Sequence, residues 1–225
     1  MNRVKICGLS RPADIQAVNQ ARPDYIGFVF APSRRQIDPA QAQTLKQELD
    51  PRILSVGVFV DQPWPWIAEL AAEQLIDLIQ LHGQEGATYL RQLRAHVNLP
   101  IIRSVRVGRA LPAPVELRAL AGAADYLLLD TATNLPDGTP QPGGSGQSFD
   151  WRLLQNYSGP DYFLAGGLNC QNVTAALQQL HPFAVDTSSG VETDGVKDAS
   201  KIAEFVRLVR AVEDLQSERG AGNGR

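Results

Sequence analysis

Cysteine is scarce in this chain. Its 225 residues include two, Cys7 and Cys170. They form neither a CxxC pair nor a zinc-ligand spacing, so a disulfide framework and a structural zinc site are excluded. A reducing cytoplasm is the expected setting. Long apolar runs are also missing. No stretch reaches the roughly 18 uninterrupted apolar residues that suggest a membrane span. The opening segment MNRVKICGLS has basic residues but no long apolar centre, so it does not read as a signal peptide. A basic excess is lacking too: 21 Lys plus Arg face 24 Asp plus Glu, for a formal charge of −3. Nothing in that balance draws the chain to a polyanion, and no nucleic-acid partner is expected. No cluster of His, Asp and Glu suggests a metal. No cofactor fingerprint is present: the turn after the first strand, CGLSRP, lacks the G-x-G-x-x-G of dinucleotide binders.

The composition that remains, 44% apolar and 20% charged, is that of a chain with a large core. Short β-branched runs predict strands at 4–7, 25–30, 54–59, 78–81, 101–105, 126–130, 162–165 and 184–186. Helical patterns follow most of them, at 13–21, 39–49, 66–73, 87–96, 172–180 and 198–216. Strands alternating with helices imply βαβ units and a parallel sheet. Eight such strands favour a closed (β/α)₈ barrel, a TIM barrel, over an open doubly wound sheet of five or six. One catalytic domain over 1–216 is expected, with an unstructured tail over 217–225. Ser10 and Asp38, each followed by a nearby proline, are expected to cap the first two helices, and Asn169 the seventh. The Gly- and Pro-rich stretch Asn134–Gln147 reads as a long mobile loop after the sixth strand. Trp151 is expected to start the sixth helix, and Trp64 and Trp66 to pack in a loop and helix start.

In such a barrel the chemistry sits where the strands end. Alternation places Val4 and Ile6 toward the helices and Lys5 and Cys7 inward. The same rule turns Asp130 and Asp186 inward. One thiol and two carboxylates therefore converge on one mouth. Lys5 is expected to pair with a carboxylate such as Asp186, because an unpaired buried ammonium is costly. Its charge would also help hold Cys7 as thiolate. The turns LAGGLN (Leu164–Asn169) and DTSSGVE (Asp186–Glu192) follow strands seven and eight, where barrels often bind phosphate through backbone N–H groups. In the loop after strand two, either Arg34 or Arg35 would suit a bidentate grip on a carboxylate. His82 lies at the mouth. His96, His181 and Cys170 read as structural.

These segments together resemble the phosphoribosylanthranilate isomerase family of tryptophan synthesis. The resemblance runs through VKICGL, GFVFAPSRR, VGVFV, IQLHG, LLLDT, GGSGQSFDW, LAGGLN and FAVDTSSGVE, in order, from residue 4 to about 200. It implies an Amadori rearrangement of N-(5′-phosphoribosyl)anthranilate to 1-(2-carboxyphenylamino)-1-deoxyribulose 5-phosphate, with no cofactor. It implies that Asp130 is the general acid that opens the furanose ring, and that Cys7 is the general base that removes the C2′ proton. It assigns Arg35 to the anthranilate carboxylate, and Gly166, Gly167, Ser189 and Gly190 to the phosphate. Asp186, His82 and Gly144 join the substrate site, Gly144 within a glycine run that would close over it. An acid that must hold its proton should be raised by burial, and a base that must lose one should be lowered. The implied partner is a small phosphorylated aminosugar, and the implied assembly a monomer or homodimer. The related dual-substrate isomerase shared with histidine synthesis resembles this chain less, because it uses an aspartate where Cys7 stands. A phosphosugar-binding barrel without catalysis would need neither Cys7 nor Asp130.

Overall fold

The computed structural model describes residues 2–131, 150–155, 157 and 159–222. Eight strands close into a barrel in chain order, every neighbouring pair parallel. They are β1 (Arg3–Cys7), β2 (Tyr25–Val29), β3 (Leu54–Phe59), β4 (Leu78–Leu81), β5 (Ile101–Val107), β6 (Tyr126–Thr131), β7 (Tyr162–Leu164) and β8 (Ala184–Thr187). Helices α1 (Pro12–Ala21), α2 (Pro39–Gln47), α3 (Trp64–Ala72), α4 (Ala87–Arg94) and α5 (Pro114–Ala121) follow the first five strands. Helices α6 (Val173–Gln179) and α7 (Ala199–Gly222) follow the last two.

Side-chain alternation sorts the core into two layers. Val4, Ile6, Leu127, Leu129 and Val185 pack outward against the helices. Tyr25, Val56, Leu78, Ile102, Leu128 and Phe163 fill the barrel interior. Tyr126 and Phe183 pack on that inner cluster, and Phe163 meets both of their rings and that of Tyr25. The interior is thus a packed plug below and a polar layer above, as expected when bulky side chains fill a small barrel. Trp66 packs edge-on against Phe30 and Phe59, and Trp64 stacks on His96. Both indoles are structural, in agreement with the sequence reading. Cys170 is likewise half-buried against the outer core.

Several local expectations are corrected. Ser10 does not cap α1. Arg11 holds that position, and the Asp14 carboxylate reaches back to accept from the Ser10 and Arg11 N–H groups. A carboxylate three residues into the helix satisfies the exposed donors better than the Ser10 hydroxyl would, and it favours the positive end of the helix dipole. Asp38 does cap α2, accepting from Gln41 N–H at 2.7 Å. Asn169 lies ahead of α6, whose cap position is Asn172. Its side chain instead accepts from Gln171 N–H in a local turn. Among the described residues Trp151 begins a 3₁₀ turn, Trp151–Leu154, where the start of the sixth helix was expected. The last helix continues past Gln216 to Gly222, so the tail expected to be unstructured is helical over Ser217–Gly222. Extending an existing helix avoids the cost of nucleating one, which offsets the low helix propensity of Gly220 and Gly222. The Asn134–Gln147 loop, with Gly144, lies outside the described residues.

One element went unread. A two-stranded ribbon, β9 (Glu192–Thr193) and β10 (Val196–Lys197), follows β8. Its turn is Asp194-Gly195, both at positive φ (51° and 79°), which is the geometry that Asp-Gly supplies in a tight hairpin.

Candidate active site

The C-terminal ends of the strands surround a cavity of about 180 Å³. Cys7 from β1 and Asp130 from β6 both line it. So do Arg35, His82 and Asp186. The turns after β7 and β8 add Gly166, Gly167, Ser189 and Gly190 to the same wall. Every candidate residue that falls among the described residues therefore meets in one place. Arg34 is not part of the lining. Its side chain is 55% exposed against 14% for Arg35, so of the two arginines only Arg35 faces the cavity.

Cys7 is buried beside Lys5, whose side chain is fully buried. The Lys5 ammonium donates to Asp186 Oδ1 at 3.0 Å across the β1–β8 pairing, where the two residues are directly opposite. Burial works against the Lys5 charge, but Asp186 and Cys7 outweigh it and raise its pKa. Burial raises Asp186, against the pull of Lys5. The thiol corrects an expectation. Burial pushes the Cys7 thiol up, and the nearby Lys5 and Lys197 offset only part of that rise. Desolvation of a small enclosed thiolate exceeds the attraction of an ammonium already shared with a carboxylate.

His82 faces Asp130, with Nε2 3.4 Å from Oδ2. Its Nδ1 lies 2.6 Å from Ser104 Oγ and 3.2 Å from the Gln80 amide nitrogen. An amide nitrogen only donates, so in this arrangement Nδ1 accepts and the ring proton sits on Nε2, toward the carboxylate. Gln80 Oε1 is buried without a hydrogen-bond partner among the described residues, and Gln80 lines the cavity. Gln80 and Ser104 were missed from the sequence. They are the inward positions of β4 and β5, and the signal was a polar residue where alternation demands an apolar one. Arg103, on the opposite face of β5, donates to the carbonyls of Leu81, Gly83 and Glu85 and so fixes the loop that carries His82.

The glycine turns have the backbone that a close-fitting anion cradle needs. Gly166 and Gly167 sit at φ +84° and +67°, where a side chain would be strained. Asn172 Nδ2 and Thr187 Oγ1 donate to the carbonyls of Gly167 and Leu168, at 3.0 and 2.7 Å, and hold the first turn against β8. Among the described residues no group of three or more His, Cys, Asp and Glu is placed to hold a metal ion.

The family model for N-(5′-phosphoribosyl)anthranilate isomerase matches residues 4–208. The chain belongs to the N-(5′-phosphoribosyl)anthranilate isomerase family. The isomerase of Endomicrobium trichonymphae is 43% identical over 212 residues, covering 94% of this chain and 100% of that protein. The crystal structure of phosphoribosyl anthranilate isomerase from Thermotoga maritima superposes with a TM-score of 0.81 at 36% identity, over 94% of this chain and 100% of the other. A crystal structure of phosphoribosyl anthranilate isomerase in complex with reduced 1-(o-carboxyphenylamino)-1-deoxyribulose 5-phosphate superposes with a TM-score of 0.77 at 34% identity, with 94% and 100% coverage. Family members thus share both the barrel and nearly the full length of this chain.

Proposed function

We propose that this chain isomerises N-(5′-phosphoribosyl)anthranilate to 1-(2-carboxyphenylamino)-1-deoxyribulose 5-phosphate in tryptophan synthesis, with Asp130 as acid and Cys7 as base. The observation that carries this reading is the presence of both groups in one cavity, beside an arginine and two glycine turns. The reaction needs a proton delivered to the ring oxygen and another removed from C2′ of the same small sugar. Asp130 gives its proton to the ring oxygen as the C1′–O bond breaks, and the anilino nitrogen's lone pair forms the iminium. Cys7, as thiolate, removes the C2′ proton, and the electron pair moves to form the enolamine. Protonation at C1′ and loss of the O2′ proton complete the ketone, so no oxidant or cofactor enters. Gly166, Gly167, Ser189 and Gly190 take the phosphate, and Arg35 takes the anthranilate carboxylate. His82 places an N–H beside Asp130, and Asp186 anchors Lys5 under Cys7.

The partner this chemistry requires is a phosphorylated aminosugar, handled in the cytoplasm. Among the described residues no helix is long and apolar enough to cross a membrane. The assembly is a monomer or a homodimer; the Thermotoga maritima relative is described as dimeric.

Purified chain mixed with N-(5′-phosphoribosyl)anthranilate is expected to abolish the substrate's fluorescence with turnover, and to leave the aminoaldose of histidine synthesis unchanged. Because burial raises the Cys7 pKa, the ultraviolet absorbance of its thiolate, read as the difference between this chain and the Cys7→Ala variant, should still be climbing with pH between about 7 and 9. An absorbance already complete at pH 7 would mean that burial does not govern the ionisation of this thiol. No turnover would remove the functional reading.

A further inference from the structure

Arg35 reaches the cavity already engaged. Glu192, on β9, accepts from its Nε at 2.7 Å and its Nη2 at 2.9 Å. That occupies one edge of the guanidinium and leaves the Nη1/Nη2 edge for a ligand. The stem of Arg35 lies so close over Gly8 that a Cβ there would collide with Cδ. The arginine is therefore held both along its stem and at its head. A carboxylate pressed this closely against Arg35 would also cancel its charge. A ligand carboxylate approaching a neutral pair gains little, and it meets repulsion from Glu192 besides.

The hairpin resolves this conflict. Lys197, on β10, is paired in register with Glu192 and donates to its Oε1 at 2.6 Å. The Glu192 and Lys197 side chains are 4% and 3% exposed, so solvent screens the pair very little. Two cations and one carboxylate leave the buried cluster with a single positive charge. Arg34 donates to Glu192 Oε2 at 2.6 Å as a third cation, but its side chain is 55% exposed and solvent screens its charge, whereas Lys197 is buried. The Lys197 ammonium donates as well to the Ser188 carbonyl at 2.9 Å and lies 3.2 Å from Ser188 Oγ, which itself donates to the Cys7 carbonyl at 2.9 Å.

We propose that Lys197 is a specificity-positioning residue that neutralises Glu192, so that Arg35 is fixed in orientation yet keeps its charge for the carboxylate of the ligand. Glu192 supplies the geometry and Lys197 returns the charge that this geometry would cost. The proposal rests on the reading of Arg35 as the carboxylate grip. It adds two residues of the ribbon to the recognition of the aryl acid, acting through Arg35 without touching the ligand.

The test compares the affinities of two ligands. One is reduced 1-(o-carboxyphenylamino)-1-deoxyribulose 5-phosphate, and the other is the same molecule with a plain phenyl ring. Their ratio measures carboxylate recognition and cancels any general damage to phosphate binding. Lys197→Met is expected to lower that ratio about tenfold. The double variant Lys197→Met/Glu192→Gln is expected to restore it, because removing the carboxylate returns the cluster to one positive charge. Glu192→Gln alone is expected to keep the ratio at or above the starting value. A purely structural role for Lys197 predicts equal losses for both ligands and no recovery in the double variant, and either result overturns the proposal. If Lys197→Met fails to fold, Lys197→Gln, which keeps a donor for Glu192 and the Ser188 carbonyl but removes the charge, decides: a lowered ratio supports the proposal, and a maintained one overturns it. Arg35→Ala separates the two levels. Should it bind both ligands with unchanged preference, the carboxylate grip itself is wrong and the proposal falls with it. Should it lose the preference while Lys197→Met keeps it, the proposal alone is wrong.

Discussion

Replacing Cys7 with Ala, or Asp130 with Asn, is expected to lower kcat about a thousandfold while leaving affinity for the reduced product within a few-fold of its starting value. Each change removes one proton transfer and little ligand-binding surface. Asn at 130 retains the size of the side chain and can still meet the His82 N–H, so the cavity keeps its shape. Ala at 7 removes only a sulfur from a buried position. The two losses should not multiply in the double variant, because a reaction already stalled at ring opening gains little from the base. Steady-state rates and equilibrium titration with the reduced product check both halves. Retained turnover in either single variant would reassign the acid or the base.

The largest stability effect is expected at Lys5. Its side chain is fully buried, and its ammonium is 3.0 Å from an Asp186 side chain that is 9% exposed. Lys5→Met leaves that carboxylate in the barrel without its cation. Breaking a buried pair on one side costs about 3–5 kcal/mol. For a chain of this size that is a fall of roughly 10 °C in Tm. Lys5→Met/Asp186→Leu removes both charges and should recover most of the loss, since two apolar groups of similar volume need no pairing. Any folded Lys5→Met should also turn over more slowly at neutral pH, because Lys5 is the chief group offsetting the burial of the Cys7 thiol and its loss leaves less thiolate. Thermal unfolding of the two variants checks the first claim. A loss under about 1 kcal/mol for Lys5→Met would mean that solvent or Asp186 protonation relieves the broken pair.

The barrel was legible because its strands are short β-branched runs and its turns are marked by Pro, Gly, Asp and Asn. Alternation along β1, β6 and β8 correctly turned Cys7, Asp130, Asp186 and Lys5 inward, since each has apolar neighbours that demand the other face. The choice between Arg34 and Arg35 was not legible. Both lie in one polar loop, and it is the position of Glu192 and the bare backbone of Gly8 that direct Arg35 inward. The direction of the Cys7 shift was misjudged for a related reason. The sequence shows a lysine two residues away but not that Asp186 claims its charge. The ribbon that carries Glu192 and Lys197 had its signal in Asp194-Gly195, but flanks of two residues are too short for an alternating pattern to appear. Gln80 was passed over as a single polar residue within an apolar run, and Ser104 because it lies beside Arg103 in a strand read for its apolar content.

A structure of the Asp130→Asn variant with bound reduced 1-(o-carboxyphenylamino)-1-deoxyribulose 5-phosphate tests the account most directly. The account predicts the Cys7 sulfur within about 3.5 Å of C2′ and the residue-130 side chain beside the oxygen that closes the furanose, on opposite sides of the pentose. It also places the phosphate at Gly167 and Gly190, and the carboxylate on the free edge of Arg35. A ligand lying with both side chains on one side of the sugar, or with its C2′ carbon turned away from the thiol, would contradict it.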